Sequence, residues 1–263
     1  MRHLTVIKIL HKIATLANIM ALYRTWHLVI LDRFNCLNGI ITHTLRDGTR
    51  YLTKAKKDDT GKINSIYIEK EYSECLKYVR DRGVVIDIGA HIGVFSVFIE
   101  RSAKGVTVYS YEPCRENFDL LEKNVRLNGL CDSIRVFNAG LSGTGGRREL
   151  FLDPVNDGAH SIIERKDLSV IIDTVSLKDI FDENGIERCD FLKMDCEGAE
   201  YETLYNTPGE YLDRIGAISM EYHDNGDIGD LIKFLERNGF IIGPRRAETA
   251  LLHAHKDMPP RRS

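Results

Sequence analysis

The chain contains 263 residues, of which 43% are hydrophobic and 29% are charged, and its formal net charge at pH 7 is −3. These values are typical of a soluble globular protein, and the length leaves room for one ordinary domain with an extension. The slight acidity gives no basic footprint, so we do not expect a nucleic-acid partner. The six cysteines include no C-x-x-C pair, which favours reduced thiols in a cytoplasmic protein over a zinc knuckle or a redox pair.

The first thirty residues or so are apolar but interrupted by charge. Between Lys12 and Arg24 only eleven residues lack charge, whereas a transmembrane helix needs about 20. Apolar residues recur at helical spacing over residues 6–21, which favours a helix packed on the main domain. Weaker alternatives are peripheral membrane contact through residues 1–31 and a secretory signal.

Residues 1–82 are interpreted as a helix–hairpin–helix cap ahead of the main domain. Asp47-Gly48 lies between two alternating runs, which predicts a hairpin over residues 40–53. A charged loop over residues 54–61 and a helix over residues 63–80 should follow. The candidate core residues of that helix are Ile66, Tyr67, Tyr72, Cys75 and Val79. Such a cap could lie over a site and carry substrate contacts.

The main domain, residues 83–263, begins with a glycine-bounded apolar run. The sequence predicts a buried strand at Val84–Ile88, a tight turn and a helix starting near Gly93, because continuous apolar runs are typical of strands covered on both faces. Gly89 and Gly93 allow a sharp turn and close approach of a ligand. The N–H groups at the start of the helix would face that ligand.

The spacing Asp87-x-Gly89-x-x-x-Gly93 differs from the dinucleotide fingerprint G-x-G-x-x-G. Asp87 suits a ligand that carries an ammonium group. A second strand over residues 106–111 ends in Glu112-Pro113, where a carboxylate can accept hydrogen bonds from both hydroxyls of a ribose. The two signals in this order resemble the S-adenosylmethionine site of Rossmann-like methyltransferases.

A helix over residues 115–128 and a third strand over residues 134–137 are expected next. Asn138 follows this strand and is either an edge partner of the adenine or the cap of a turn.

Residues 143–175 depart from a plain α/β repeat. We predict an inserted hairpin of Arg148–Leu152 and Val170–Val175 at the ligand-facing edge, with His160 and Ser161 on its turn.

The fourth strand, Cys189–Met194, ends in a cluster of acidic residues, Asp195, Glu197 and Glu200. Ligands of doubly wound sheets bind at the carboxyl ends of strands, so Asp195 and Glu197 are candidate site residues. Glu200 is better explained as a solvated acid in a first helical turn.

The fifth strand, residues 215–220, precedes His223. His223 is a candidate base, since an ordinary histidine changes charge near neutrality, although a structural role is an equal alternative. Closing strands at residues 240–242 and 250–252 are separated by too few residues for a crossover helix, so the last strand must be antiparallel to its neighbour. The tail, residues 259–263, should be disordered.

Over residues 64–242 the chain resembles the FkbM family of S-adenosylmethionine-dependent methyltransferases. The resemblance rests on the glycine motif, on Tyr111-Glu-Pro113, on the stretch Asp190-Phe-Leu-Lys-Met-Asp-Cys-Glu-Gly-Ala-Glu200 and on Asn238-Gly-Phe240. It implies a Rossmann-like class I α/β fold, with a mostly parallel seven-stranded sheet and an antiparallel closing hairpin. The N-terminal helix–hairpin–helix extension would be additional to that fold.

The resemblance also implies methyl transfer to a hydroxyl oxygen of a sugar, glycan or polyketide-like metabolite. The matching residues are Asp87, Gly89 and Gly93 for the methionine moiety, Glu112 for the ribose, and Asp195 and Glu197 for the acidic element; Ala90, His91 and Asn138 complete the expected cofactor site.

Asp195 or His223 could serve as the base that draws the proton from the acceptor. Alternatively, Asp195 and Glu197 could hold a divalent ion, but no third ligand can be identified, so a metal is not favoured. Two other classes of function remain: a catalytically silent nucleoside-binding module and, with less support, a nicotinamide-dependent oxidoreductase.

Overall fold

The computed structural model describes residues 14–152, 168–196, 198–244 and 250–257. Residues 14–22 are helical and form α1. The remaining helices are α2 (Trp26–Arg33), α3 (Asp59–Tyr67), α4 (Val94–Ser102), α5 (Arg115–Leu127), α6 (Leu177–Glu183), α7 (Glu200–Asn206), α8 (Gly209–Leu212) and α9 (Ile228–Arg237), with a 3-10 helix at Ser73–Lys77. The strands are β1 (Ile40–Thr44), β2 (Arg50–Lys54), β3 (Val84–Ile88), β4 (Thr107–Tyr111), β5 (Ile134–Phe137), β6 (Gly140–Leu141), β7 (Gly146–Leu152), β8 (Leu168–Val175), β9 (Cys189–Met194), β10 (Ile215–Glu221), β11 (Ile241–Ile242) and β12 (Leu251–His255).

The centre of the molecule is a seven-stranded sheet with the order β11-β12-β10-β9-β3-β4-β5. β12 is antiparallel to both of its neighbours, and the pairs from β10 to β5 are parallel. The mostly parallel sheet and its antiparallel closing strand are therefore confirmed. In β3 every residue after Val84 is buried, as the continuous apolar run predicted for a strand covered on both faces.

The inserted hairpin is also confirmed. β7 and β8 pair antiparallel from Gly146 opposite Thr174 to Leu152 opposite Leu168, and β6 adds to β8 to give a second, three-stranded sheet. The predicted turn with His160 and Ser161 lies outside the described residues, as does the tail from residue 259.

The N-terminal hairpin β1–β2 forms as predicted, and the Asp47 carboxylate accepts the N–H of Thr49 at its turn. The prediction of one helix over residues 63–80 was wrong. α3 starts earlier, at Asp59, and ends at Tyr67, and Lys70 then adopts a left-handed φ of 58° that no helix can continue. The apolar spacing predicted one continuous helix because α3 and the 3-10 helix, which lie on either side of Lys70, both bury side chains in the same core.

That core joins the N-terminal elements to the sheet. Ile19 of α1 and Tyr51 of β2 are buried in the same hydrophobic cluster as Val85 of β3 and Val108 of β4. The side chain of Asn124, buried on α5, accepts the N–H of Leu52 and donates to the carbonyl groups of Leu52 and Ile92. The hairpin is thus hydrogen-bonded to the main domain as well as packed on it.

All six cysteines are free, as expected.

Within the described ranges, no helix combines the length and the apolar character that crossing a bilayer would need. The predicted N-terminal helix is confirmed over residues 14–22, and residues 1–13 lie outside the described part of the chain.

Candidate active site

A cleft that is partly open to solvent lies at the carboxyl edge of the strands β4, β3 and β9. Its walls come from the glycine turn after β3 and the start of α4, the tips of β4 and β9, the segment around α3, the helix α5 and the small sheet. The polar and turn residues that line it include Gly89, Ala90, His91, Glu112, Lys193, Asp195, Lys62, Ser65, Glu71 and Tyr72. Glu112 and Asp195 thus flank the turn that follows the central strand β3.

The glycines of the turn are required by the packing of the chain on itself. Gly89 has a φ of +71°, and a Cβ there would lie 1.8 Å from the carbonyl oxygen of Asp195. Gly93 has a φ of +85°, and its Cβ would lie 2.5 Å from Cδ1 of Leu121. Each glycine thus makes room for a neighbouring element, and its predicted role in the close approach of a ligand stays a prediction. Gly89 still lines the cleft, whereas Gly93 lies behind it as the N-cap of α4.

The backbone N–H groups of the turn are also used inside the protein. Those of Gly89 and Ala90 both donate to the carbonyl oxygen of Tyr111 at 3.0 Å, and that of His91 donates to Oε2 of Glu112 at 2.8 Å. The imidazole Nε2 of His91 lies 3.7 Å from Oδ1 of the buried Asp59. These three N–H groups fasten the turn to β4, whereas the expectation that the N–H groups at the start of α4 face a ligand stays a prediction.

Glu112 occupies its predicted position at the tip of β4. Its side chain is buried yet lines the cleft, and it accepts the N–H groups of His91 and Cys114 at 2.8 and 2.9 Å. Burial raises the pKa of Glu112 to about 7, against the opposing effect of the two backbone hydrogen bonds and the nearby Lys193 charge. The carboxyl group is therefore divided between its charged and neutral forms near neutral pH.

Asp87 is fully buried and does not reach the cleft. Its Oδ2 accepts a 2.5 Å hydrogen bond from the hydroxyl of Ser96, and its Oδ1 lies 3.2 Å from Nζ of Lys193. The structure therefore places the ammonium of the chain's own lysine beside Asp87, where the sequence suggested a ligand ammonium.

Lys193 connects the glycine turn to the acidic loop after β9. Its Nζ donates to the carbonyl oxygens of Ile88 and Gly89 at 3.2 and 3.0 Å and lies 3.9 Å from Oδ2 of Asp195. Burial acts to lower the pKa of Lys193, but the charges of Asp87 and Asp195 outweigh it, so the pKa lies above its ordinary value. The lysine is therefore a fixed cation in the wall of the cleft.

The two described residues of the acidic cluster after β9, Asp195 and Glu200, lie in different environments. Asp195 lines the cleft, and Glu197 lies outside the described residues. Glu200 is fully buried, which corrects the expectation of a solvated acid: its Oε1 accepts the N–H groups of Cys196 and Gly198 at 3.1 and 3.3 Å. This carboxylate thus holds the loop that carries Asp195.

Two other predicted site residues lie away from the cleft wall. His223 is half-buried, and its Nδ1 is 3.3 Å from Oε1 of Glu200. The side-chain amide of Asn138 donates to the carbonyl oxygens of Glu112 and Pro113 at 2.9 and 3.1 Å. Asn138 therefore supports the tip of β4, a role that neither of the two predicted alternatives described.

The residues that the sequence analysis missed come from the segment around α3. Tyr72 was a candidate core residue only; it is buried, packs its ring against Phe95 with centroids 5.2 Å apart, and also lines the cleft. Burial, reinforced by the charge of Asp195, raises the pKa of Tyr72 well above its ordinary value, so its hydroxyl remains a hydrogen-bond donor. A tyrosine at a core position was the available signal, because a buried phenol normally needs a polar partner.

A metal site finds no support in the described part of the chain, where no three His, Cys, Asp or Glu side chains are grouped closely enough to hold an ion. Because Glu197 is not described, its predicted pairing with Asp195 stays a prediction.

The sheet order, the glycine turn after β3 and the carboxylate at the tip of β4 define a Rossmann-like class I methyltransferase. The family described as the Methyltransferase FkbM domain matches residues 87–242. The chain belongs to this family, and it is a methyltransferase.

Three relatives and a solved structure agree with this assignment. Methyltransferase sdnD of Sordaria araneosa is 27% identical over 198 residues, covering 63% of this chain and 76% of the relative. The 31-O-demethyl-FK506 methyltransferase FkbM of Streptomyces tacrolimicus is 29% identical, covering 62% and 75%. The hexuronic acid methyltransferase AglP of Haloferax volcanii is 26% identical, covering 61% and 64%. A crystal structure of methyltransferase FkbM from Methylobacillus flagellatus KT shares the fold, with a TM-score of 0.52, 21% identity and coverage of 73% of this chain and 48% of that one.

Proposed function

We propose that the protein is an S-adenosylmethionine-dependent O-methyltransferase whose acceptor is a hydroxyl group of a sugar, a glycan or a polyketide-like metabolite. The observation that carries the proposal is that Glu112 and Asp195 line the same cleft, on either side of the glycine turn. Two relatives support an oxygen acceptor, since their names specify methylation of a 31-O-demethyl compound and of a hexuronic acid.

The residues of the cleft fit this cofactor. Glu112 uses one acceptor site on each oxygen for a backbone N–H, and a carboxylate has further lone pairs for the two ribose hydroxyls. Glu71 supplies negative charge in the wall of the cleft, where an ammonium group would be held, and Lys62 supplies a cation for a carboxylate. When bound, S-adenosylmethionine supplies an electrophilic methyl group that a hydroxyl oxygen can take in one in-line displacement.

Asp195 is the best-placed base, because it lines the cleft and His223 does not. A base of this kind contributes about 10²–10⁴-fold to the rate. Glu200 holds the loop of Asp195 from behind, and His223 faces Glu200. We therefore assign His223 to support of the loop and Asp195 to proton removal.

The hydroxyl of Tyr72, which stays protonated, can orient the acceptor oxygen by donating a hydrogen bond. Correct placement of the acceptor behind the methyl group can contribute up to about 7–11 kcal/mol to the lowering of the barrier. In this proposal the segment around α3 determines which acceptor fits, because it contributes Lys62, Ser65, Glu71 and Tyr72 to the wall of the cleft.

The test compares Asp195→Asn with His223→Gln. S-adenosylhomocysteine formation is measured with a panel of monosaccharides, uronic acids and macrolide alcohols, and S-adenosylhomocysteine binding is measured by calorimetry. We expect Asp195→Asn to retain binding and to lose about 100-fold or more of turnover, whereas His223→Gln retains most of its turnover. Normal turnover of Asp195→Asn would remove Asp195 from the mechanism. Absence of S-adenosylhomocysteine binding by the unmodified protein would refute the proposed cofactor.

A further inference from the structure

The helix α2 presents large apolar side chains to solvent and buries its acid. Trp26 and Leu31 are exposed, and Phe34, directly after the helix, is 73% exposed. Asp32, the only acidic residue of α2, is 5% exposed, and its Oδ1 accepts the N–H of Lys56. A surface helix normally turns its apolar residues inward and its charges outward. In α2 the apolar side chains of Trp26 and Leu31 instead face solvent, and the acidic side chain of Asp32 is buried.

The exposed apolar side chains continue on the two neighbouring elements, α1 and β1. We call the whole set the N-terminal apolar surface; its members are Leu16, Met20, Trp26, Leu31, Phe34 and Ile40. Of the twelve exposed large hydrophobic side chains in the described part of the chain, these six fall within 25 consecutive residues. Such a concentration on a folded protein marks an interaction surface.

Positive charge accompanies this surface. In the described residues 14–46 the charged side chains are Arg24, Arg33, Arg46 and one acid, the buried Asp32, although the whole chain has a formal net charge of −3. Arg24 and Arg33 are exposed. The Nε of Arg46 donates to the carbonyl oxygen of Met20 at 2.9 Å, which holds a guanidinium against the apolar surface. Tryptophan and phenylalanine beside a one-sided positive charge are typical of segments that lie in the headgroup region of anionic membranes.

We propose that the N-terminal apolar surface docks the protein onto an anionic lipid bilayer. The apolar side chains enter the interface and the basic residues contact the lipid phosphates, with no element crossing the membrane. Charge argues against a second copy of the chain as the occupant, because a two-fold contact would bring the same basic surface against itself. The proposal is independent of the methyl acceptor and of the chemistry in the cleft.

Trp26 is the single tryptophan of the chain, so its fluorescence reports on this surface directly. The full-length protein is titrated with vesicles of phosphatidylcholine mixed with phosphatidylglycerol, and binding is confirmed by co-sedimentation. We expect a blue shift of the Trp26 emission and co-sedimentation, both weakened by high salt and by vesicles of phosphatidylcholine alone. Arg33→Glu should lower the partition coefficient about tenfold or more, since each basic residue near the surface adds to the attraction.

The double variant Leu31→Ser/Phe34→Ser should lose vesicle binding. Its matched control is Ile171→Ser/Ile241→Ser, which removes two side chains of similar exposure, 67% and 48%, from β8 and β11; this control should bind like the unmodified protein. Thermal unfolding checks that both double variants fold. Failure of the unmodified protein to bind the mixed vesicles, or equal binding by both double variants, would overturn the proposal. A concentration-dependent dimer that Leu31→Ser/Phe34→Ser dissociates, without vesicle binding, would also overturn it and assign the surface to self-association.

Discussion

At the scale of single residues, the cleft combines a carboxyl group of variable charge with a lysine of fixed charge. Glu112 is the variable group, because burial raises its pKa to about 7. Ligand hydroxyls bind the carboxylate better than the neutral acid, since the proton occupies a site that would otherwise accept a hydrogen bond. Ligand affinity should therefore depend on pH in the neutral range.

We predict that the affinity for S-adenosylhomocysteine weakens as the pH falls through about 7, by up to about tenfold per pH unit. Glu112→Gln should bind more weakly and should lose this part of the pH dependence, as measured by calorimetry across the neutral range. Stability changes in the opposite direction: a carboxyl pKa raised in the folded protein means that this group favours folding more as the pH falls below about 7,. Weaker binding at low pH can thus be separated from unfolding. An unchanged pH profile in Glu112→Gln would contradict the role of Glu112.

Lys193 is the fixed group, and it compensates the buried Asp87 at 3.2 Å. Lys193→Met should lower the free energy of unfolding by about 3–5 kcal/mol, because it leaves a buried carboxylate without its cation. Adding Asp87→Asn to that variant should recover part of the loss, as measured by urea unfolding in a double-mutant cycle. Additive losses from the two substitutions would show that the pair is not coupled.

At the scale of elements, the glycine turn is where β3, β4 and β9 are locked together. The N–H groups of Gly89 and Ala90 bind the end of β4, and the Cα of Gly89 packs against the backbone of Asp195 after β9. The position of the candidate base is therefore set by the conformation of a turn on a different strand.

Gly89→Ala should destabilise the protein by more than the left-handed backbone alone costs, which is about 1–3 kcal/mol. It should also lower turnover by displacing Asp195. The matched control is Gly129→Ala, since Gly129 has the same φ of +71° but nothing within 4 Å of an added Cβ. Chemical denaturation of both variants separates the backbone cost from the steric clash. Equal losses in the two variants would mean that the turn adapts to the extra methyl group.

At the scale of the whole molecule, the N-terminal extension and the sheet share one core. Ile19 and Tyr51 pack in the same cluster as Val85 and Val108, and the hydroxyl of Tyr51 hydrogen-bonds that of Tyr67 at 2.9 Å. The division of the chain at residue 82, suggested by the sequence, separates segments that bury one another's apolar surface.

We therefore predict that residues 83–263 alone show no cooperative thermal transition and bind a hydrophobic dye, because a face of the sheet loses its cover. A chain that starts at residue 14 retains the described elements and should unfold in one transition. Differential scanning calorimetry compares the two with the full chain. A cooperative transition of the 83–263 fragment near that of the full chain would instead support two independent domains.

Much of the fold follows from local patterns. Apolar runs, turn residues and connection lengths placed β5 and β9 at their observed bounds and required an antiparallel last strand. For the site, the same reasoning placed Glu112 and Asp195 at strand tips, and parallel strands bring such tips to one edge of a sheet.

What only the tertiary structure decided concerns partners that are distant in the chain. It paired Asp87 with Lys193, buried Glu200 under the acidic loop and brought Tyr72 into the cleft wall. It also showed that α3 ends at Tyr67, although the apolar spacing continues beyond it. Periodicity reports which side chains face a core, because it depends on the backbone near each residue. The partner of a buried charge depends on which elements meet in space, and no local pattern in the sequence carries that information.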